Sequence, residues 1–301
     1  MFLLPLSNFL KKYDGAFLAT ILANLIAVRY LARIINNRFL RKRLMLRLII
    51  NLDRSIDRWQ GMKSQFQALG ISFQRIPAID AKKEELPMDC VAPLGSPKKY
   101  FFPRELTRGE VACYLSHIKC WKTLLNSDEQ WAVVFEDDIQ LSERSKNFIL
   151  SESWIPPSIH IAQLHTYWKL WHCNTLPKYL PLEDGSILHN VIEPSYGCCC
   201  YLIDRKAAKT ALDLSQQLAA PVDEFLFNFK SSFTQKFPAM RLNPACVLHN
   251  DRGQSTLCEN RFSHKQAYSL RNHLSLKRLY WSAKKNFLKK FVCVDTVFTW
   301  K

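Results

Sequence analysis

The sequence predicts an α/β fold built on an open, mostly parallel sheet. Short apolar runs of strand length alternate with segments whose apolar residues recur every three or four positions, as in amphipathic helices. A strand, a helix and a second strand follow one another within about 35 residues, which favours a parallel pair. With 301 residues, 48% of them hydrophobic, the chain is long enough for one large domain with extensions.

The first predicted elements form a strand–helix–strand unit. Residues 46–52 are an apolar run and are predicted as a buried strand. Ser55 is expected to cap the following helix, and Gly70 to end it in a left-handed conformation. Residues 71–76 are predicted as the second strand. The apolar stripe predicted to be buried along the helix consists of Ile56, Trp59, Met62, Phe66 and Leu69.

A second helix is predicted to begin at Thr107, because Thr107 and Glu110 have the spacing of a capping box. Residues 131–135 are all apolar and are predicted as a fully buried strand. The helix stripe predicted to face the core consists of Val111, Leu115, Ile118, Trp121 and Leu125.

Further strands and two further helices are predicted in the second half of the chain. Asp204 is expected to cap a helix over residues 205–217, and Pro221 to open a short helical segment. The predicted strands are residues 158–164, 197–203 and 241–248. The sequence has no GxGxxG after its first strand and no GxxxxGK[ST], which argues against ordinary Rossmann dinucleotide binding and P-loop chemistry.

The positive charge is concentrated at the two ends. Of the net charge of +16, residues 1–48 carry +8 and residues 261–301 carry +9, whereas residues 49–260 carry −1. Basic residues at the ends are interleaved with Leu, Ile, Phe and Trp, a pattern typical of interfacial helices. We therefore expect an anionic membrane surface, and not nucleic acid, as the partner of the ends; a solvated helix packed on the core is the alternative.

The chain is predicted to consist of a domain with two extensions. The apolar run at residues 16–28 is shorter than the ~20 residues that a membrane span needs. Ten cysteines without a CxxC pair indicate reduced thiols in a cytoplasmic protein. We expect a peripheral location at the inner membrane. The expected parts are a basic, apolar helical extension at 1–44, a central domain at 45–260 and a basic amphipathic extension at 261–301.

The acidic triplet Glu136-Asp137-Asp138 is the most informative candidate site. Three carboxylates directly after a buried strand repel one another and favour a bound cation. In an open α/β sheet, ligands bind at the carboxyl ends of the strands. If the strand end is extended, Glu136 and Asp138 share one side and can bind a divalent cation, Mn²⁺ or Mg²⁺. A solvated acidic turn is the alternative.

Polar residues that follow the first two strands are candidates for nucleotide binding. A helix N-terminus with arginines favours a phosphate, although Asp53 and Asp57 could instead simply pair with those arginines. Asp80 could bond a ribose hydroxyl or a base edge. The residues at the end of the first strand and the start of its helix are Asn51, Asp53, Arg54 and Arg58.

Four further residues are weaker candidates. Asp223 and Glu224 could act as a general base, or could be first-turn acids favoured by the helix dipole. His117, next to Ser116, could be a hydrogen-bonded histidine at the edge of the core. His249 follows the last predicted strand and could be a metal ligand.

These segments, taken in order, resemble glycosyltransferase family 25, the lipopolysaccharide-type glycosyltransferases. The resemblance covers about residues 45–260. The chain departs from the family pattern at Asp204 and Ala207, which replace a small polar residue and a glycine, and at His249, where glutamine or another residue is expected. The matching segments are Ile50–Ser55 with Arg58, Leu69–Asp80, Leu106–Trp121, Val134–Asp138, Gly197–Ala208 and Pro221–Asp223.

The resemblance implies a GT-A-like, Rossmann-type sheet and an inverting transfer of a hexose, often galactose from UDP-galactose to a lipooligosaccharide. The implied partners are a UDP-sugar donor and a lipid-linked oligosaccharide acceptor. A metal-dependent phosphohydrolase and a membrane-surface scaffold with a degenerate site are the alternatives. The implied roles are catalysis by Asp223 or Glu224, nucleotide-sugar binding by Asn51, Asp53, Arg54, Arg58, Asp80, Ser116, His117 and Asp137, and binding of Mn²⁺ or Mg²⁺ by Glu136, Asp138 and His249.

Overall fold

The structure is a computed structural model, and its described residues belong to one unit, Leu44–Lys301. Both predicted extensions, 1–44 and 261–301, lie outside the described residues except for Phe298. No helix in the described part of the chain is both long enough and apolar enough to cross a bilayer. The described residues are 45–93, 104–167, 175–191, 197–250 and 298, and of 175–179 only the backbone is described.

An eight-stranded sheet forms the centre of the domain. Its strands are β1 (Leu46–Asn51), β2 (Gln74–Pro77), β3 (Trp131–Phe135), β5 (Ile161–Gln163), β7 (Thr175–Pro181), β8 (Ile187–Val191), β9 (Cys200–Asp204) and β10 (Met240–Asn243). Their order across the sheet is β2-β1-β3-β9-β5-β10-β8-β7. Six of the eight strands point the same way, and β8 and β9 are reversed. The predicted α/β fold with a mostly parallel sheet is confirmed.

A small second sheet lies beside the carboxyl end of β3. It contains β4 (Ile139–Leu141), β6 (His165–Tyr167) and β11 (Val247–His249), with β11 in the middle. In the pairing of β11 with β4, His249 lies opposite Ile139, the residue after the acidic triplet. This register brings the two predicted metal-binding segments together.

Five helices flank the sheets among the described residues. They are α1 (Ile56–Ala68), α2 (Arg108–Leu125), α3 (Ser145–Ile149), α4 (Arg205–Leu214) and α5 (Val222–Phe227). Successive strand residues face opposite core layers, so Leu48 and Val134 pack in the layer that contains α2, whereas Ile49 and Val133 pack in the layer that contains α1.

Local signals for the helix ends are largely confirmed. Thr107 and Glu110 form the predicted capping box, and Gly70 is left-handed with φ 66°. The Asp204 carboxylate accepts the Ala207 N–H at 2.7 Å. Ser55, in contrast, makes no side-chain cap.

Several predicted boundaries and faces are wrong. Ile56 is 63% exposed, because it is the first residue of α1 and lies beyond the packed turns. The buried face of α2 is wider than the predicted stripe, since α2 packs against β1–β3 and also against α4 and α5. Its buried positions include Tyr114, His117 and Leu124, while the predicted Leu115 is only partly buried.

The predicted strands are too long in the second half of the chain. Residues 241–248 divide into β10 and β11, which belong to different sheets. Pro244 lies between them and lacks the N–H that strand pairing needs. The strand predicted from 197 begins only at Cys200, because Gly197 has φ 86°. Of the strand predicted over 71–76, the part that pairs begins at Gln74, the first residue of β2. Of the strand predicted over 158–164, only β5 (Ile161–Gln163) is a strand.

Candidate functional site

Asn51, the last residue of β1, connects the first strand to the acidic triplet. Its side chain is fully buried, and its amide nitrogen donates to the Asp137 carboxylate at 2.7 Å. Its amide oxygen accepts two hydrogen bonds from the Arg75 guanidinium, at 2.6 and 3.0 Å. Because β1 and β3 are neighbours and parallel, these groups meet at the carboxyl edge of the sheet.

Arg58 from α1 partly neutralises the triplet. Its guanidinium lies 3.0 Å from an Asp137 oxygen and 3.4 Å from an Asp138 oxygen. Burial and the charge of Asp138 raise the pKa of Asp137, and the bonds from Asn51 and Arg58 oppose that rise. Two adjacent carboxylates therefore share one arginine, which leaves negative charge for a further cation.

Asp138 is brought to His249, as the metal prediction requires. His249 Nε2 lies 3.7 Å from one Asp138 oxygen, and one ligand atom from each of Asp138, His249 and Cys199 lies within 4.8 Å of the others. The second Asp138 oxygen is buried, and no described residue donates a hydrogen bond to it. The Asp138 carboxylate suits Mn²⁺ and Mg²⁺ alike, whereas the His249 imidazole favours Mn²⁺ of the two, because Mg²⁺ prefers oxygen ligands alone. These residues therefore fit the expected divalent cation.

Glu136 faces a different cluster. Its carboxylate lies 3.4 Å from His117 Nε2 and accepts a hydrogen bond from the Cys198 thiol at 3.1 Å. The expectation that Glu136 and Asp138 lie on the same side of the strand end is wrong. Strand β3 ends at Phe135, and the backbone bends at Asp137 and Asp138. Alternation of side chains does not continue through the bend.

His117 is fully buried within α2 and is held from both ring nitrogens. Nδ1 is 2.9 Å from the Tyr201 hydroxyl, which also accepts the Trp121 indole N–H at 3.0 Å. Burial lowers the pKa of His117, but hydrogen bonds to Cys113 and Glu136 outweigh it and bring the pKa to about 9. Burial raises the pKa of Glu136, and the same contact with His117 reverses this and lowers the pKa below its usual range. The pair is therefore an ion pair inside the domain.

Ser116 joins α2 to the segment that follows β2. Its hydroxyl accepts the Ile79 N–H at 2.9 Å and donates to the Ala112 carbonyl at 2.8 Å. This bond fixes the segment after β2, in which Asp80 accepts Arg54 Nε at 2.7 Å. That hydrogen bond lowers the pKa of Asp80. Asp80 and Arg54 thus lie together, on the segments that follow β2 and β1.

Asp53 is placed farther out than the other candidates. Its side chain is 74% exposed and pairs with Arg75 at 2.8 Å. The alternative in which Asp53 pairs with Arg54 or Arg58 is therefore wrong, because Arg75 comes from β2 and the other two arginines pair elsewhere. Arg58, by contrast, pairs with Asp137 of the triplet. The Asp137 side chain is 10% exposed, so this ion pair is more buried than that of Asp53 with Arg75.

Asp223 lies beside the site, whereas Glu224 is bound within its own helix. Asp223 is 7% exposed and accepts the Gly197 N–H at 3.0 Å. Glu224 accepts the Asn228 side-chain N–H at 2.6 Å. A Cβ at Gly197 would lie 1.8 Å from the Tyr167 hydroxyl oxygen, so only glycine fits between Tyr167 and the cysteines that follow.

The cysteines and Arg75 were missed as site residues. The i, i+4 spacing of Cys113 and His117 on a predicted helix was a usable signal for a shared face. Cys198 and Cys199 lie in opposite core layers. The run of three cysteines does not reveal this arrangement, because the backbone bends at Cys199.

An α/β sheet with an acidic triplet directly after a buried strand is the arrangement expected for a glycosyltransferase from the sequence motifs. The chain belongs to glycosyltransferase family 25, described as lipopolysaccharide biosynthesis proteins, whose sequence model matches residues 45–226. The resemblance noted from the motifs is thereby confirmed, and the phosphohydrolase and scaffold alternatives are set aside.

Bacterial relatives match most of the domain. The lacto-N-neotetraose biosynthesis glycosyltransferase LgtB of Neisseria meningitidis is 28% identical over 207 residues, 65% of this chain and 71% of that protein. The lipooligosaccharide biosynthesis protein lic2B of Haemophilus influenzae is 26% identical over 206 residues, 64% of this chain and 73% of that protein. A crystal structure of a glycosyltransferase involved in glycosylation of the PBCV-1 major capsid aligns with a TM-score of 0.38 and 10% identity, covering 70% of this chain and 94% of that one.

Proposed function

We propose that this glycosyltransferase transfers galactose from UDP-galactose to the glycan of a lipooligosaccharide acceptor, with inversion at the sugar carbon. The observation that carries the proposal is the group of residues Asn51, Arg58, Asp137, Asp138 and His249 at the carboxyl ends of the strands. There, a buried Asp138 oxygen to which no described residue donates lies beside a partly neutralised acidic pair. The relatives named for lacto-N-neotetraose and lipooligosaccharide biosynthesis support the choice of acceptor.

Asp138 and His249, with Cys199, would hold a divalent cation, Mn²⁺ in preference to Mg²⁺. When bound, the cation supplies electrostatic stabilisation for the diphosphate that leaves with UDP. Arg58 keeps the Asp137 and Asp138 side chains in place from the other side. Arg54 and Asp80, which lie after neighbouring strands, are assigned to the nucleoside part of the donor.

Asp223 is proposed as the base that removes the proton of the attacking acceptor hydroxyl. Two backbone N–H groups, those of Gly197 and Glu224, fix its carboxylate at 3.0 Å each. A carboxylate has about four lone-pair sites, so it retains acceptor capacity for a hydroxyl. Glu224, bound to Asn228, is the weaker candidate.

A transfer assay with matched variants tests the assignment. Labelled galactose transfer to lipooligosaccharide is measured for Asp138→Asn, Asp223→Asn and the control Asp213→Asn, whose aspartate is 63% exposed and pairs only with Lys209 in the described part of the chain. We expect losses in turnover of about 10²–10⁴-fold for Asp223→Asn and a loss of metal-stimulated turnover for Asp138→Asn. Full turnover in either variant would contradict its role.

The basic ends are proposed to hold the enzyme on the cytoplasmic face of the inner membrane, where a lipid-linked acceptor is found. This rests on the charges of +8 and +9 in residues 1–48 and 261–301. Cosedimentation of the full chain with anionic vesicles should exceed that with neutral vesicles and fall with added salt. Equal recovery with both vesicle types would exclude electrostatic anchoring.

A further inference from the structure

We propose that Cys113, His117, Glu136 and Cys198 form a second metal site, a four-ligand site for a thiophilic divalent cation of the zinc class. One ligand atom from each of these four residues lies within 4.8 Å of all the others. The site lies on the α2 side of the acidic triplet and shares no residue with the group formed by Asp138, Cys199 and His249.

Three different segments supply the ligands. Cys113 and His117 are one turn apart on α2 and face the same way. Glu136 follows β3, and Cys198 precedes β9, the strand that pairs with β3. A cation here would tie α2 to the ends of two neighbouring strands, as structural zinc ions do between elements that are distant in sequence.

The distances suit a tetrahedral cation. Cys198 Sγ lies 3.2 Å from His117 Nε2 and 3.1 Å from the Glu136 oxygen, and the last two atoms are 3.4 Å apart. Cys113 also contacts Cys198 and His117. Around zinc, bonds of about 2.0–2.3 Å place ligand atoms ~3.3–3.8 Å apart. The ligand atoms of His117, Glu136 and Cys198 therefore need to move apart by at most a few tenths of an ångström.

The outer contacts of His117 fit a metal ligand. A metal-binding histidine commonly has its other ring nitrogen held by a hydrogen-bond partner. Here Nδ1 is 2.9 Å from the Tyr201 hydroxyl, and Trp121 fixes that hydroxyl from the other side. With Nδ1–H donating to Tyr201, Nε2 can present its lone pair to a cation that displaces the Nε2 proton of the ion pair with Glu136.

The ligand chemistry selects the cation. Two thiols and an imidazole prefer zinc or cobalt to magnesium, calcium or manganese. Binding forms two metal–sulfur bonds, one metal–nitrogen bond and one metal–oxygen bond, and it displaces to solvent the thiol protons of Cys113 and Cys198 and the Nε2 proton of His117. His117 is fully buried and Cys198 is 3% exposed, whereas the Glu136 side chain is 24% exposed, so protein would surround the bound cation on most sides, as in a structural site.

Cobalt binding to the full chain tests the site without reference to transfer activity. The reduced, metal-stripped protein is titrated with Co²⁺, and absorbance is read for tetrahedral d–d bands and thiolate-to-cobalt charge transfer. We expect a thiolate-to-cobalt band that Zn²⁺ removes and that persists in Cys199→Ala, which lacks the thiol of the other group. Cys198→Ala should lower the cobalt affinity by more than the ~10–100-fold typical of replacing a residue that only hydrogen-bonds to a metal ligand. Cys120→Ala, which removes a buried thiol of α2 outside the cluster, should leave it unchanged.

Three results would overturn the proposal. One is a protein that binds no cobalt with thiolate character. Another is a thiolate band that survives Cys198→Ala but is lost in Cys199→Ala, which would place the cation with Asp138 and His249. The third is a Cys113–Cys198 disulfide in freshly purified protein, found by peptide mass. Zinc content of the wild-type protein is measured in parallel and does not depend on any variant folding.

Discussion

Replacing Asn51 by leucine should disturb the acidic triplet directly, because Asn51 is buried and bonded to two charged groups. The change removes the hydrogen bond to Asp137 at 2.7 Å and the bonds from Arg75. A bond to a charged group contributes about 1.5–3 kcal/mol, and Arg75 keeps its partner Asp53. We expect the free energy of unfolding to fall by about 2–4 kcal/mol at pH 7, most of it from the Asp137 bond.

The loss should depend on pH. Burial already raises the pKa of Asp137, and without Asn51 it rises further. A raised carboxyl pKa in the folded state favours folding when the group is protonated, so its cost grows as pH rises above the unfolded value of about 3.9. The destabilisation of Asn51→Leu should therefore be smaller at pH 4 than at pH 7.

Urea denaturation of the metal-free protein at both pH values measures these effects. Asn147→Leu, at an exposed position of α3, is the control and should change stability by less than about 0.5 kcal/mol. The reasoning is refuted if Asn51→Leu behaves like this control, or if its destabilisation is larger at pH 4 than at pH 7.

The remaining predictions concern three other positions. Asp138→Asn should abolish metal-stimulated donor binding while leaving the melting temperature of the metal-free protein within a few degrees of wild type, as differential scanning fluorimetry can check; a lost fold would remove the assignment. Gly197→Ala should cost ~1–2 kcal/mol for its backbone alone and more for the contact with Tyr167, so Tyr167→Phe should recover part of the stability in urea melts; no recovery would contradict the close approach. Glu110→Gln should destabilise by about 2 kcal/mol, because Glu110 is buried and bonded twice to the partly exposed Arg104; an unchanged urea midpoint would show the pair to be dispensable.

Sequence patterns predicted those features that depend on local chemistry. The capping box at Thr107, the left-handed Gly70 and the buried strand 131–135 follow from residues that are adjacent or nearly so. The sequence also predicted that the triplet lies at the carboxyl end of a central strand, because the buried strand ends at Phe135. The assignment to a glycosyltransferase family came from the resemblance of several motifs in the same order, and not from any one pattern.

The features that were missed depend on contacts between distant segments. The division of residues 241–248 into two strands is determined by which sheet each half joins. The separation of Glu136 from Asp138 depends on a bend, and the meeting of Asp138 with His249 depends on the register of β11 with β4. No periodicity within one segment encodes such pairings.

Thermal stabilisation by UDP-galactose, with and without Mn²⁺, tests the central claim most directly. Wild-type protein and Asp138→Asn are melted with UDP-galactose, UDP-glucose and UDP. The account predicts a metal-dependent rise in melting temperature with UDP-galactose in the wild type, of the size given by ligand linkage, and its absence in Asp138→Asn. A wild-type protein that shows no shift with any of these nucleotides, or the same shift without Mn²⁺, would contradict it.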